Sequence, residues 1–204
     1  LADEVSDPPF GGDMMAKFPA DWLDTAPGQI ITSMLFRIEG PMTMKDAEST
    51  ARTEFRRWFV SESLAQAWVL DREAIVASDF RVDAGGHIRI AILAVGQVGQ
   101  RRLGRILQRM VEIETYKAMS MLGFARVKQL TPRISELDAQ LTRLMGQMTD
   151  NSAQPDVLLQ DLLATSIELE TLSARCSFRF GATGAYEAIV NQRIEVLREE
   201  RFEL

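Results

Sequence analysis

The C-terminal half of the chain is constrained by two heptad seams. Ile134, Leu137, Leu141, Leu144 and Met148 are separated alternately by three and four residues. Leu158, Leu162, Thr165, Leu169, Leu172 and Cys176 repeat the pattern. Such spacing brings one side chain per turn onto a single helical stripe. The intervening "TDNSAQPD" (149–156) reads as a polar turn. Two helices with apolar stripes and a short connection bury those stripes by folding back as an antiparallel hairpin. Each fully buried leucine then contributes about 1.5–3 kcal/mol. Cys176 falls on the seam, which makes it a small core residue rather than a reactive thiol. As the lone cysteine it permits no internal disulfide.

The N-terminal half has a different periodicity. Residues 1–27 are punctuated by Pro8, Pro9, Gly11, Gly12, Pro19 and Pro27 and read as loop. Residues 29–38 read as a strand, and 43–59 as a helix with Ala47, Ala51, Phe55 and Trp58 on one face. "AWVLD" and "AIVASDFRV" read as short strands around Asp71-Arg72-Glu73. "DAGG" (83–86) is a turn, and in "HIRIAILAV" (87–95) Ile88, Ile90 and Ile92 share a face. The expected sheet is mixed and partly antiparallel.

A helix is expected over 100–122, ending near Gly123, with a new one starting at Pro132. "GATG" (181–184) is expected to break the second hairpin helix, and a last helix from Tyr186 is expected to run off the end. On helix 100–122, Leu103, Ile106, Leu107, Met110, Val111, Ile113 and Met121 form the apolar arc. Arg101, Arg102, Arg105, Arg109, Glu112 and Tyr116 lie opposite. Glu114 and Lys117 fall inside the apolar arc, three residues apart and therefore neighbours. The simplest reading is an ion pair at a packed interface, with Glu114 also able to meet an arginine of the hairpin. A role for Glu114 in binding an ion or in catalysis is the sharper alternative. Glu112 and Glu114 project to nearly opposite sides and cannot share a substrate. Glu112 is expected to pair with Arg105 or Arg109 on the wet face.

Composition excludes several classes. The net charge is −6, yet residues 101–129 hold 7 basic and 2 acidic side chains. An acidic chain with one basic helix is a poor nucleic-acid binder. One histidine, His87, and one cysteine cannot build an ordinary structural zinc site. There is no "GxSxG" elbow. "GQVGQRRLGR" (96–105) lacks both the P-loop lysine and the dinucleotide spacing, so its glycines read as a strand-to-helix connector. No run of 18 apolar residues suggests a transmembrane helix. The start at Leu1 and the ending "EVLREERFEL", which has no helix-stop signal, are the pattern expected of a piece of a longer protein.

Residues 77–126, "ASDFRVDAGGHIRIAILAVGQVGQRRLGRILQRMVEIETYKAMSMLGFAR", resemble a proteobacterial family of unknown function, catalogued as predicted membrane-anchored proteins. The similarity lies in "DFR", the turn, the apolar strand, and an arginine-rich helix carrying Gln108, Arg109, Glu112, Ile113, Glu114, Thr115, Tyr116 and Lys117. "LSARCSFRFGATGAYEAIVNQRIEVLREER" (172–201) resembles the family's next block, and "LADEV" its N-terminal "LNNEV". The family's following histidine-arginine-proline is replaced by Ser6, Asp7 and Pro8. The resemblance implies a longer protein with a C-terminal hydrophobic segment, on the cytoplasmic side of the bacterial inner membrane. The layout is loosely similar to CorA-type magnesium channels.

The resulting expectation is an α+β protein. An α+β domain over 1–125 carries a small mixed sheet and the arginine-rich helix, and 126–204 forms the hairpin arm and the start of a further helix. Its function is expected to be non-enzymatic: the soluble, membrane-proximal region of a membrane-anchored protein, self-associating through helices. The alternative is a divalent-cation-sensing domain of a CorA-like transporter, with weak magnesium binding and no other cofactor. The candidate interaction or structural polar residues are Arg105, Arg109, Glu112, Glu114, Tyr116 and Lys117.

Overall fold

The computed structural model describes residues 9–11, 19, 21–149 and 154–202. Much of the loop reading of 1–27 and the centre of the turn reading of 149–156 fall outside them; within them, Trp22–Thr25 is a helical turn, Thr149 ends one helix and Pro155 begins the next. The chain divides into two compact units, Leu1–Thr115 with Val190–Leu204, and Tyr116–Ile189. The C-terminal stretch Val190–Leu204 is grouped with the first unit.

The first unit is built on a five-stranded mixed sheet. After a single turn α1 (Trp22–Thr25) come β1 (Met34–Met42), α2 (Met44–Trp58), a 3-10 turn (Ser61–Ser63), β2 (Ala65–Val69), β3 (Ala74–Ser78) and β4 (Ile88–Val95). The helices α3 (Gln100–Thr149) and α4 (Pro155–Leu197) follow, then the two-residue β5 (Glu200–Arg201). The sheet order is β1-β4-β3-β2-β5. β1 runs parallel to β4, and the other pairs are antiparallel.

Both faces of the sheet are covered. Trp68, Ile75, Ala77, Ala91 and Leu93 pack with Ala47, Ala51, Phe55 and Trp58 of α2. The intervening residues Val69, Ala74, Val76, Ile90 and Ile92 pack with Ile106 and Met110 of α3 and Leu197 of α4. This is the period-two alternation of a strand, with apolar residues on both sides because neither side is wet. α2 starts where Thr43 Oγ1 accepts the Asp46 N–H at 3.2 Å, which satisfies one of the otherwise orphaned amides of its first turn.

Strand β1 lies further along the chain than expected, because Gly40 and Pro41 belong to it rather than ending it. Proline is tolerated because β1 is an edge strand, and the register shifts between Glu39 and Met42. Gly40 has φ +127°, and a Cβ there would stand 2.5 Å from the Ala94 carbonyl oxygen, so only glycine fits. The four-residue β2–β3 connection holds Leu70, Asp71 and Arg72 at positive φ. The C-terminal segment clamps it. The Leu70 N–H donates to the Leu197 carbonyl at 2.8 Å, Arg198 pairs with Asp71, and Arg72 with Glu200. The last helix therefore ends at Leu197 instead of running on, with Arg198 at φ +50° turning the chain into β5.

Three expected helix breaks are absent. α3 is continuous through Gly123 and Pro132, and α4 through Gly181 and Gly184. An interior proline costs about 3 kcal/mol and a glycine about 1 kcal/mol. Tertiary burial outweighs these local costs here. In the second unit, Gly123, Leu130, Leu137 and Leu144 are buried at strict seven-residue spacing. From α4, Thr165 and Cys176 are buried, with Leu158, Leu162 and Leu172 half-buried. The helices run antiparallel, since Arg133 reaches Glu168 and Tyr116 reaches Tyr186. The seam expected on α3 is only half covered. Leu137 and Leu144 are inside, but Ile134 is 50% and Met148 54% exposed. On α4, Leu169 lies at the exposed margin.

Candidate functional site

Within the first unit, the opening turns of α3 carry most of the candidate residues. Ile106 and Met110 are buried on the sheet, which leaves Arg105 exposed and Arg109 half-buried. Glu112 is half-buried and accepts Gln108 Nε2 at 2.8 Å. Its cationic partner is Arg193 of α4, not Arg105 or Arg109 as the wheel suggested. The wheel sees only one helix, and a neighbouring helix supplied the closer guanidinium. The hydrogen bonds from Gln108 and then Arg193, with the charges of Arg193 and Arg109 behind them, hold the Glu112 carboxyl below its ordinary range. Glu114 is 1% exposed, inside the apolar arc as its position requires. Lys117 is half-buried, and neither residue is without a partner. Val111 and Met121, assigned to the same arc, are 37% and 55% exposed.

A second polar cluster in this unit escaped the sequence reading. Asp79, of the "DFR" stretch, is 1% exposed. Its carboxylate accepts Arg89 Nη2 at 2.7 Å, the Val60 N–H at 3.1 Å and the Arg81 N–H at 3.2 Å. Ser78 Oγ donates to the Arg89 carbonyl at 2.8 Å, and the Arg89 guanidinium lies over the Phe59 ring. One carboxylate thus ties the end of α2, the end of β3 and the start of β4 together. His87 is half-buried, with Nδ1 2.7 Å from Ser33 Oγ and its N–H donating to Asp83 Oδ1. That is a turn-stabilising role.

In the second unit, Tyr116 stacks on Tyr186 with ring centroids 5.7 Å apart. Arg133 makes two hydrogen bonds to Glu168, both 2.6 Å, and one to Glu136. A shallow open groove of roughly 390 Å³ is lined by Leu122, Arg126, Gln129, Arg175, Phe178 and Arg179. Many large apolar side chains on these helices remain exposed, among them Phe124, Val127, Met145, Leu163, Ile167 and Phe178.

The Arg133 hydrogen bonds hold the Glu168 carboxyl below its ordinary value of 4.5. A depressed folded-state value contributes stability that is present above the unfolded value and lost as pH falls through the folded one. The hairpin's melting temperature should therefore decline on acidification below the ordinary glutamate range. Glu168→Gln should lower it at neutral pH and flatten that decline. Thermal melts of both proteins across that range check the slope, and an equally steep fall in the variant would remove Glu168 as its source.

Among the described residues, no group of three or more His, Cys, Asp or Glu side chains converges in a way that could hold a metal ion. Among them also, no helix is long and apolar enough to cross a membrane.

The profile of the family described as "protein of unknown function (DUF3422)" matches residues 2–203. The chain belongs to this family. No curated protein and no solved structure matches it. Both polar clusters and the hairpin lie inside the matched region, so they are parts of the family domain itself.

Proposed function

We propose that this DUF3422 domain is a non-enzymatic assembly module, the soluble and membrane-proximal region of a membrane-anchored protein, which associates through its helical hairpin. The observation that carries the reading is the apolar surface left on two packed helices. Single exposed apolar residues are ordinary, but contiguous ones mark contact sites. The polar clusters support the same reading. Asp79, Glu112 and Glu168 are each occupied by arginine, so their chemistry is spent on holding elements together. Membrane anchorage and a position on the cytoplasmic side rest on the family resemblance of residues 77–126. The cation-sensing alternative draws on the net charge of −6 and on the loose likeness of layout to CorA-type magnesium channels.

Assembly that binds the folded chain and not the unfolded one raises apparent stability with concentration. The melting temperature of the chain should rise across a hundredfold concentration series and should not depend on magnesium. A melting temperature constant with concentration would contradict the reading. A rise only in magnesium would transfer support to cation sensing.

A further inference from the structure

The second unit carries a second, largely exposed heptad stripe, of which Leu141 is half-buried. Phe124, Val127, Thr131, Ile134, Asp138, Leu141, Met145 and Met148 are spaced alternately three and four along α3. This is a different stripe from the one buried against α4, which runs through Gly123, Leu130, Leu137 and Leu144. Phe124, Val127, Ile134, Met145 and Met148 are between 45% and 64% exposed. At about 1.5 Å per residue the stripe is about 36 Å long. Beside it lie Ala125, Pro132, Ala139 and Gly146, whose short side chains let another helix approach. On the stripe and the positions directly flanking it, the charges are Lys128 and Asp138, while Arg133, Glu136 and Arg143 lie further round the helix, with Arg133 engaged by Glu136 and Glu168.

We propose that the 124–141 part of this stripe docks the same part of a second copy, antiparallel, about a two-fold axis passing between Pro132 and Arg133, with Met145 and Met148 extending the apolar surface beyond the overlap. The proposal rests on the assembly reading above and names its surface. One of its two series, Val127, Ile134, Leu141 and Met148, is apolar at strict seven-residue spacing, the pattern that another helix fits by knobs-into-holes packing, and Thr131 and Asp138 interrupt the other. The two charges fix the orientation. A parallel pairing sets Lys128 against Lys128 and Asp138 against Asp138, and directly opposed like charges are unfavourable. The antiparallel pairing aligns Val127 with Asp138, Thr131 with Ile134, and Phe124 with Leu141 of the other copy. Each Lys128, next along from Val127, then lies beside the other copy's Asp138, and the contact is made twice. Moving the axis to residue 136 would instead set Asp138 against Ile134, whose neighbour Arg133 is already bonded to Glu168 and Glu136.

The test is sedimentation velocity on the intact chain and four variants, with circular dichroism to establish that each is folded. The substituted side chains are exposed and lie outside the buried seam, so the helices should persist. Ile134→Glu, Lys128→Asp and Asp138→Lys should each weaken self-association at least about tenfold. The double variant Lys128→Asp/Asp138→Lys should recover most of the loss. Self-association unchanged in Ile134→Glu would overturn this surface while leaving hairpin assembly standing. Weakening by both single charge changes without recovery in the double would overturn the antiparallel register. A native chain that sediments as a monomer at all concentrations would remove the assembly reading itself, and the dimer with it.

Discussion

Asp79→Ala should destabilise the first unit by about 3–5 kcal/mol, the range for removing one partner of a buried ion pair. Asp79 is 1% exposed, and its side chain is fully enclosed. Removing it leaves Arg89 Nη2 and the Val60 and Arg81 amides without their acceptor. Leaving a buried donor unsatisfied costs about 1–3 kcal/mol, more where it is charged. Asp79→Asn should cost less, because one amide oxygen still accepts while the charge is lost. Removing both partners, Asp79→Leu with Arg89→Met, should recover much of the loss, since an apolar pair of similar size strands no charge. Urea unfolding of the three variants checks the order. An Asp79→Ala loss below about 1 kcal/mol would place the cluster among surface pairs. Such a stability change is separable from assembly, because Asp79 belongs to the first unit and the hairpin stripe to the second.

The second large effect is at Gly123. A Cβ there would stand 2.3 Å from Thr183 Oγ1 and 3.2 Å from its Cγ2. Thr183 cannot simply swing away, since its hydroxyl donates to the Arg179 carbonyl at 2.9 Å and its χ1 is restricted by branching. Gly→Ala in a helix interior ordinarily gains about 1 kcal/mol. Overpacking costs about 1–3 kcal/mol, so the clash should win and Gly123→Ala should lower stability. Gly123→Leu should do so further, by forcing the helices apart. Thr183→Ala removes the two nearest atoms, Oγ1 and Cγ2, and leaves only the Thr183 Cβ position, at 3.3 Å. In that background Gly123→Ala should be near neutral or stabilising, giving a coupling of at least about 1 kcal/mol in a double-mutant cycle. Additive effects would mean that the helices do not approach closely at this point.

These two positions also show what could be read from the sequence and what could not. The α2 stripe of Ala47, Ala51, Phe55 and Trp58, the strands flanking Asp71-Arg72-Glu73, and the shared face of Ile88, Ile90 and Ile92 were legible because burial imposes a period. The α+β class followed from them. Gly123, Pro132 and "GATG" misled because glycine and proline signal a helix end only when nothing larger opposes it. At Gly123 the missing side chain serves close helix contact instead. Asp79 was not singled out, because it falls inside the expected strand "AIVASDFRV" with no periodic signal of its own. The signal lay in the hairpin register. Ala77 pairs with Ala91, and continuing that register by two residues sets Asp79 opposite Arg89. The partner of Glu112 was beyond reach, because Arg193 is far away in sequence and close only after folding. The α3 seam was recognised as apolar but assigned wholly to the interior. Alternate members, Ile134, Leu141 and Met148, belong to the outer stripe. A single helix pair cannot cover a stripe that wide.

That uncovered width is the basis of the central claim that the hairpin is an assembly surface. The most direct test is the mass of the intact chain by light scattering, measured at increasing concentration without magnesium. The account predicts a mass rising from 22.9 kDa for one copy toward that of two copies. A mass that stays at 22.9 kDa at every concentration would contradict it.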